Sequence, residues 1–505
     1  MSIDPTKVKI DREVVPFWEH EESFQDIMAE QLKHAPWLGL SILIHGIGIL
    51  LLIVLMPVET LKKDDNIMQM APPPKEEKIE EQKPPEEEVK EEVKEEVVIQ
   101  DTEVKEVTEI EEGDPMADSE VASAFTGTGW NTALGLGGGA GGKFGGRRGG
   151  RKGLGGSGKS TAEAIELGLE WLKKHQDEDG KWDADQFMKH DAEGTPCDGP
   201  GNPVHDIGLT GLATLAFLGD GSTMRSGPYR EVIKKAITWL REQQDPEKGL
   251  FGQASSHDFI YDHALASIAM IEAYGLSDYK LLRKNAQLAI NYLESHRNPY
   301  KAWRYQPRDN ENDTSVTAWC VQAYKSAQDF KLEVNSKALE FSGVFLDELT
   351  DPTTGALGYT KRGELSSRHP GDHGVRFPPE KTEALTAAGL LTRIFLGQDP
   401  QKTPVMMAAA NRILTKPPEW KPGGSIDMYY WYYASYALYQ IGGRHWNDWS
   451  KKMTDAIVKS QRKDANFRGS WDPLCAWGED GGRVYSTATM VLCLEAYYRY
   501  SKIVR

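Results

Sequence analysis

Residues 171–182 read WLKKHQDEDGKW, and this stretch decides the fold because its pattern returns twice more. Residues 239–251 read WLREQQDPEKGLF, and residues 457–471 read IVKSQRKDANFRGSW. Each copy carries a Gln behind an apolar pair and then a Gly placed two residues before an aromatic residue. A unit that recurs in this way is one supersecondary element, which buries its apolar face only against its neighbours.

Weaker copies lie between these three. Residues 292–303 carry Arg297 at the Gln position, and residues 345–357 carry Thr350 there. The repeated Gln and the residues at its position are therefore spaced by about 50–70 residues, except for one interval of twice that length. A weak helix near 402–416 fills this longer interval. The sequence thus predicts six units.

Each unit is predicted to pair an outer, amphipathic helix with an inner helix that is apolar on almost every side, which is typical of a buried helix. The predicted outer helices cover roughly 162–176, 229–244, 280–296, 333–348, 402–415 and 447–461. The inner helices are predicted to begin near Asp206, Asp262, Asp313, Thr382, Tyr430 and Ser486. The fold class is therefore all-α, with six helical hairpins in two concentric rings.

The repeats, together with DIGLTGLATLAFLG at 206–219, YDHALASIAMIEAYG at 261–275, NDTSVTAWCVQAY at 312–324 and GGRVYSTATMVLCLEAYYRY at 481–500, resemble the prenyltransferase and squalene-cyclase repeat family. The resemblance covers residues 161–505 and implies the α/α toroid, whose cavity opens between the inner helices. It implies much less about activity, because one fold hosts many functions.

Residues 37–57 read WLGLSILIHGIGILLLIVLMP and are long and apolar enough to span a bilayer as one helix. No small-residue cleavage site follows, so we expect an uncleaved anchor with residues 1–36 in the cytoplasm. Basic residues on both sides leave the orientation open. A bacterial signal anchor in the inner membrane would place the toroid in the periplasm.

Ser41 and His45 lie four residues apart, on one face of this span. His45 either packs against a neighbouring helix or serves a function, since ionisable groups in a membrane are costly. The string SILIHG with the following Pro/Glu/Lys tract resembles the anchor of TonB-type energy transducers. That resemblance implies coupling of Ser41 and His45 to ExbB/ExbD-like motor proteins, although the toroid replaces the usual receptor-binding domain.

Residues 58–160 are predicted to be a disordered linker. Between Ala71 and Asp114, eighteen acidic residues stand against six lysines, a net charge of −12 out of −17. A Gly-rich tract with Lys and Arg follows, for which we expect a tether and no nucleic-acid binding. Residues 153–160 match the phosphate-loop pattern, but no buried strand precedes them, as nucleotide binding requires.

The N-terminal ends of the inner helices are predicted to form one rim of polar side chains. Each acidic residue there is also a natural helix cap. The residues proposed for catalysis are Asp262, His263 and Asp313. Those proposed to line a cavity that takes an apolar or cationic ligand are His205, Asp206, Glu383, Tyr430, Trp431, Arg483 and Tyr485.

The catalytic motifs of the two activities known in this family, terpene cyclisation and protein prenylation, do not occur in this chain. The Asp-x-Asp-Asp acid of class II terpene cyclases is absent, with DADQ at 183–186 as the nearest string. The Asp-x-Cys pair and later His that hold zinc in protein prenyltransferases are also missing. His369 and His373 could bind a metal with Asp372, but a loop does not fix that geometry. No cofactor or metal is predicted, and whether Cys197 pairs with Cys475 stays open.

Three hypotheses follow. The first is a membrane-anchored, non-catalytic module that binds a ligand or partner in its cavity. The second is a diverged terpenoid or isoprenoid-lipid cyclase or transferase that uses the carboxylates of the rim. The third is a TonB-like device coupled to a proton motor.

Overall fold

The computed structural model describes His45, residues 158–421, residue 423 and residues 425–499, the side chains of 159, 497 and 498 excepted. None of the helices described is long and apolar enough to cross a membrane. The span predicted at 37–57, with Ser41, lies outside the described residues apart from His45.

Twelve helices alternate between an outer and an inner position along residues 158–499. The outer helices are α1 (Gly158–Lys174), α3 (Arg230–Glu242), α5 (Arg283–His296), α7 (Ser336–Leu349), α9 (Pro404–Ile413) and α11 (Gly443–Ser460). The inner helices are α2 (Asp206–Gly219), α4 (Phe259–Ser277), α6 (Thr314–Asp329), α8 (Ala384–Phe395), α10 (Met428–Ile441) and α12 (Gly478–Arg499). Within this part of the chain, β pairing is limited to isolated bridges.

The inner helices form a closed ring. Each packs against the next, from α2 through α4, α6, α8 and α10 to α12, and α12 packs against α2. The outer helices cover the seams: α3 lies against α2 and α4, α5 against α4 and α6, and α9 against α8 and α10. The last outer helix, α11, also contacts α1. The prediction of six hairpins in two concentric rings is therefore confirmed for the described toroid.

The repeated Gln explains how one unit is fixed to the next. The amide of Gln176 donates to Gly180 O at 2.9 Å in its own turn and to Val232 O at 3.0 Å in the following outer helix. Gln461 makes the same pair of bonds, to Gly469 O at 2.9 Å and to Ala164 O at 2.8 Å. Because Ala164 belongs to α1, the last of these links closes the ring.

The repeated Gly is required by both conformation and space. Gly469 has φ +99°, and a Cβ built on it would lie 2.2 Å from the carbonyl oxygen of Leu167 in α1. An L-residue is strained at this φ, and a side chain would separate the outer helices. The aromatic residue two positions later, Trp471, is fully buried and donates its indole N–H to Ile457 O at 2.8 Å. It thereby satisfies a carbonyl near the end of α11.

Candidate functional site

Aromatic side chains from non-adjacent inner helices meet inside the ring. Trp319 of α6 stacks on Tyr432 of α10 with ring centroids 5.3 Å apart, and its ring lies 5.1 Å from that of Tyr433. Gln322 of α6 donates to the hydroxyl of Tyr432 at 3.1 Å. Because α8 separates α6 from α10 along the ring, these contacts cross the interior and fill it on that side.

A cavity of about 40 Å³ lies at the rim, where inner helices begin. Its walls combine five aromatic residues, three serines, two apolar residues and one pair of opposite charges. They are Tyr261, Tyr305, Tyr359, Tyr429, Trp477, Ser315, Ser366, Ser367, Ala384, Leu385, Arg368 and Asp427. Since one water needs about 10–15 Å³, this space holds a few waters or the tip of a larger ligand.

Asp427 is the acidic group of this cavity. Its Oδ1 caps α10 by accepting the backbone N–H of Tyr430 at 2.9 Å. Its Oδ2 is buried and accepts no hydrogen bond, with the nearest guanidinium nitrogen of Arg368 at 3.9 Å. Arg368 is held aside, since it donates to Phe377 O at 2.8 Å and lies over the ring of Trp477. A buried carboxylate oxygen in this state favours an incoming donor.

A second carboxylate lies behind the tyrosines of the wall. Tyr305 and Tyr359 join their hydroxyls at 2.6 Å, and Tyr359 donates to Asp313 Oδ2 at 3.4 Å. The side chain of Asp313 is fully buried and caps α6 through Val316 N at 2.8 Å. Burial raises the pKa of Asp313 to about 7, although hydrogen bonds and the charge of Arg304 favour its ionised form. Near neutral pH this group can therefore hold or release a proton.

His205 and Asp262 form a separate ion pair on the rim. Nδ1 of His205 lies 3.0 Å from Asp262 Oδ2, and Asp258 lies near its other ring nitrogen. Burial alone would lower the pKa of His205, but the bond to Asp262 and its charge raise this pKa to about 9. The contact with Asp262 therefore favours the imidazolium form of His205. The structure thus brings together two of the predicted rim residues.

His263 lies elsewhere, between the rings. Its Nδ1 accepts the backbone N–H of Phe251 at 3.1 Å, and its Nε2 lies 3.2 Å from Ala289 O in α5. In other units a threonine hydroxyl at the same repeat position accepts the equivalent backbone N–H. These residues are Thr210, Thr317, Thr386 and Thr487. The structure therefore places His263 in a structural position and does not group it with Asp262 and Asp313.

Two more predicted residues serve ion pairs outside the cavity. Asp206 accepts from Lys181 Nζ at 2.6 Å and from the backbone N–H of Ala184 at 2.9 Å, which fixes the first Gly-x-Trp turn. Glu383 pairs with Arg412 at 2.7 Å and with Lys416 at 2.6 Å, between α8 and α9.

The remaining predicted residues lie in different surroundings. Tyr430 donates to Ile413 O at 2.9 Å, and Trp431 packs against Trp420, so both face the outer ring. Arg483 is buried and pairs with Asp472 and Asp198. Burial, followed by the charges of nearby groups that include Asp427, raises the pKa of Tyr485.

The cavity also uses residues that the sequence did not single out, among them Tyr261, Tyr305, Tyr359 and Asp427. A signal existed for Asp427, which stands directly before the apolar run of α10 as Asp313 does before α6. Arg368 opens the loop considered for a metal, where His373 contacts Ala476 O at 2.8 Å and His369 contacts Asp480 at 2.9 Å. All four cysteines of the described region are buried, unpaired thiols.

The comparisons with known proteins concern the toroid. No established protein-family profile matches the chain. A squalene–hopene cyclase of Bradyrhizobium diazoefficiens is 24% identical over 194 residues, which cover 35% of this chain and 28% of that enzyme. This chain thus matches less than a third of the cyclase's length. The repeats of this chain are therefore similar to those of squalene cyclases.

Solved structures were found at low similarity. The type II terpene cyclase MstE from Scytonema is 15% identical with a TM-score of 0.42, over 67% of this chain and 98% of that one. A GH76A α-1,6-mannanase from a Salegentibacter species is 13% identical with a TM-score of 0.44, over 66% and 98%. An α-amylase from Clostridium perfringens is 12% identical with a TM-score of 0.44, over 66% and 97%.

Proposed function

We propose that the toroid is a non-catalytic binding module that captures an ammonium group, such as the end of a lysine side chain, in the rim cavity. The observation that carries the proposal is Asp427 Oδ2, which is buried against aromatic walls without a hydrogen-bond donor. An ammonium supplies donors and positive charge, and both the carboxylate and the faces of tyrosine and tryptophan rings attract it.

The size of the cavity favours binding of a ligand tip over conversion of a large substrate. About 40 Å³ holds an ammonium and its first methylene but not a polyene. The ring interior beside it is occupied by Trp319 and Tyr432, which stack on each other. The rest of the ligand would therefore remain outside the rim. A lysine on a flexible peptide would bind in this way, with only the end of its side chain in the cavity.

Titration of purified full-length protein with n-butylammonium and with its neutral isostere 1-butanol tests this. We expect n-butylammonium to bind at least 10-fold more tightly than the alcohol, by NMR or calorimetry, and Asp427→Asn to abolish the difference. Asp399→Asn, on a turn remote from the cavity, is the matched control and should bind as the unmodified chain does. Equal binding of the two probes, or no binding of either, would reject the proposal.

A second candidate, a diverged terpenoid cyclase or transferase, has one observation in its favour. Asp313 is buried beside Tyr359 with a pKa of about 7, which suits a general acid at neutral pH. Incubation with squalene and with geranylgeranyl diphosphate, followed by mass spectrometry of the lipid extract, tests it. Product that disappears in Asp313→Asn would support this candidate against the binding module.

We further propose that the module is anchored in the inner membrane through residues 37–57 and faces the periplasm, and that Ser41 and His45, within the membrane, engage ExbB/ExbD-like motor proteins. The support is the SILIHG string within an apolar run. Affinity capture of the full-length chain from membranes should recover the motor partner, and His45→Ala should lose it. His34→Ala, just before the span, is the control. Recovery that is unchanged in His45→Ala would remove the motor from the proposal.

A further inference from the structure

Three side chains of different chemistry converge at the beginning of the toroid, outside the rim cavity. His175 directly follows α1, and Asp191 and Cys197 lie on the loop between α1 and α2. Nε2 of His175 lies 3.0 Å from Asp191 Oδ1, and one donor atom from each of the three residues lies within 4.8 Å of the others. The side chains of His175 and Asp191 are 0% and 5% exposed, and Cys197 is 4% exposed.

The hydrogen bonds of His175 determine whether its Nε2 carries a proton or a lone pair. Nδ1 lies 2.7 Å from the carbonyl oxygen of Trp171, and a carbonyl only accepts, so the proton of a neutral ring is on Nδ1. Nε2 then directs a lone pair towards Asp191 Oδ1, which also carries lone pairs. The contact requires either a proton shared between the two atoms, carried by the ring or by the carboxyl, or a cation between them. Metal-bound histidines typically donate their other N–H to a backbone carbonyl, as His175 does.

The distances suit a small tetrahedral cation. Zinc bonds of about 2.0–2.3 Å place ligand atoms about 3.3–3.8 Å apart in a tetrahedron. The observed separations, from 3.0 Å to at most 4.8 Å, bracket that interval. Imidazole, carboxylate and thiolate together favour zinc over magnesium or calcium, which prefer oxygen ligands.

Asn466, in the last unit of the ring, holds the loop that carries Asp191 and Cys197. Asn466 accepts the backbone N–H of Ala192 at 2.9 Å and donates to Ala192 O and Thr195 O, both at 3.0 Å. Asn466 O in turn accepts the indole N–H of Trp171 at 3.0 Å, and this indole stacks on His175 with ring centroids 4.0 Å apart. The loop between Asp191 and Cys197 is therefore tied to the last unit, where the ring closes.

We propose that His175, Asp191 and Cys197 bind one zinc ion, which fixes the loop between α1 and α2 that Asn466 of the last unit contacts. Binding replaces the S–H bond of Cys197 by a zinc–sulfur bond and releases that proton to solvent. Three protein ligands leave the fourth position to a water molecule. The position differs from the rim cavity, so this inference is independent of the proposed function.

The test uses full-length protein stripped with a chelator and reloaded with zinc or cobalt(II). We expect one zinc per chain by elemental analysis, and a cobalt–thiolate charge-transfer band in the near ultraviolet. Cys197→Ser and Asp191→Asn should weaken zinc binding by about 100-fold or more. Cys475→Ser removes another buried thiol and should bind as the unmodified chain does.

Two further measurements use only the unmodified chain, so they do not depend on whether a variant folds. In the unmodified chain, zinc should raise the melting temperature and protect Cys197, but not Cys475, from alkylation as mapped by peptide mass spectrometry. Zinc stoichiometry that is unchanged in Cys197→Ser would overturn the proposal. Absence of the cobalt–thiolate band in the unmodified chain would overturn it as well, because that measurement involves no substitution.

Discussion

Gln461 donates its side-chain amide to the carbonyl oxygen of Ala164 at 2.8 Å, across 297 residues of sequence. The same nitrogen also donates to Gly469 O at 2.9 Å. Gln244 makes the corresponding pair of bonds, to Gly249 O and to Asn285 O of the next outer helix. In the units that carry this Gln, one side chain therefore fastens both a local turn and a neighbouring helix, and at Gln461 that neighbour is the first helix of the ring.

Gln461→Ala is expected to destabilise the toroid by about 2–4 kcal/mol, because two buried carbonyls lose their donor. The measurement is the free energy of unfolding from urea titration. Gln401→Ala, on an exposed turn, is the matched control and should change this free energy by less than about 0.5 kcal/mol. A similar small change for both variants would show that the closing bond contributes little.

Gly469→Ala is expected to cost more than Gly397→Ala. Both glycines have positive φ, at +99° and +81°, so both substitutions strain the backbone. Only at Gly469 would the new Cβ meet a backbone oxygen, whereas nothing lies within 4 Å of a Cβ at Gly397. We expect about 1 kcal/mol at Gly397 and several kcal/mol at Gly469, measured by thermal unfolding. Equal losses of stability in the two variants would mean that neighbouring atoms move and relieve the clash with α1.

His263→Thr is expected to alter the response to acid. Burial lowers the pKa of His263 to about 3, below the value of about 6.5 in an unfolded chain. Between these values the unfolded state binds more protons, so the native protein loses stability as pH falls, by up to about 1.4 kcal/mol per pH unit. The threonine variant should lack this contribution, as shown by urea unfolding from pH 7 to pH 4. If the unfolding free energies of the two proteins fell in parallel with pH, the lowered pKa of His263 would be contradicted.

His205→Gln is expected to alter the response to base, with the opposite sign. The pKa of His205 is raised to about 9 by Asp262, so the stabilisation is present in full below about pH 6.5. It disappears as the pH rises through 9, where the folded protein loses its proton. The difference in unfolding free energy between the unmodified chain and the variant should therefore shrink from pH 6.5 to pH 9.5. A constant difference would argue against the ion pair.

Asp313→Asn is expected to stabilise the protein above pH 7. Burial raises the pKa of Asp313 to about 7, so the folded state binds more protons than the unfolded state between about pH 4 and pH 7. The ionised carboxylate then costs a few kcal/mol at higher pH. Asparagine keeps an oxygen that can accept from Val316 N and cap α6. A variant less stable than the unmodified chain at pH 8 would mean that the charge itself is required.

The ring could be predicted from the sequence because its signals are local and repeated. Fully apolar helices such as α2 indicate burial, and the Gln and Gly-x-aromatic positions mark where each outer helix ends. Even α9, the weakest element, begins at Pro404 within the predicted range 402–415. Boundaries were less exact for α12, which resumes at Arg483 after the break at Gly482, three residues before the expected start at Ser486.

The site was harder to predict, because a helix start does not show which way each side chain points. His263 is the example. The structure begins α4 at Phe259, so His263 lies one turn into its helix, as Thr317 does in α6. The sequence, which predicts a start near Asp262, does not show this. The tyrosines of the cavity come from helix starts and from the Gly-x-aromatic turns, and only the closed ring brings these together. For the same reason the approach of His175 to Asp191 and Cys197 has no signature in the sequence.

The link from Gln461 to Ala164 lies at the junction of the described ring that the backbone does not span. Every other unit is joined to the next by continuous chain, whereas α11 and α1 are held together by non-covalent contacts such as this bond. Loss of these contacts would therefore turn the closed ring into an open arc whose units stay connected in sequence.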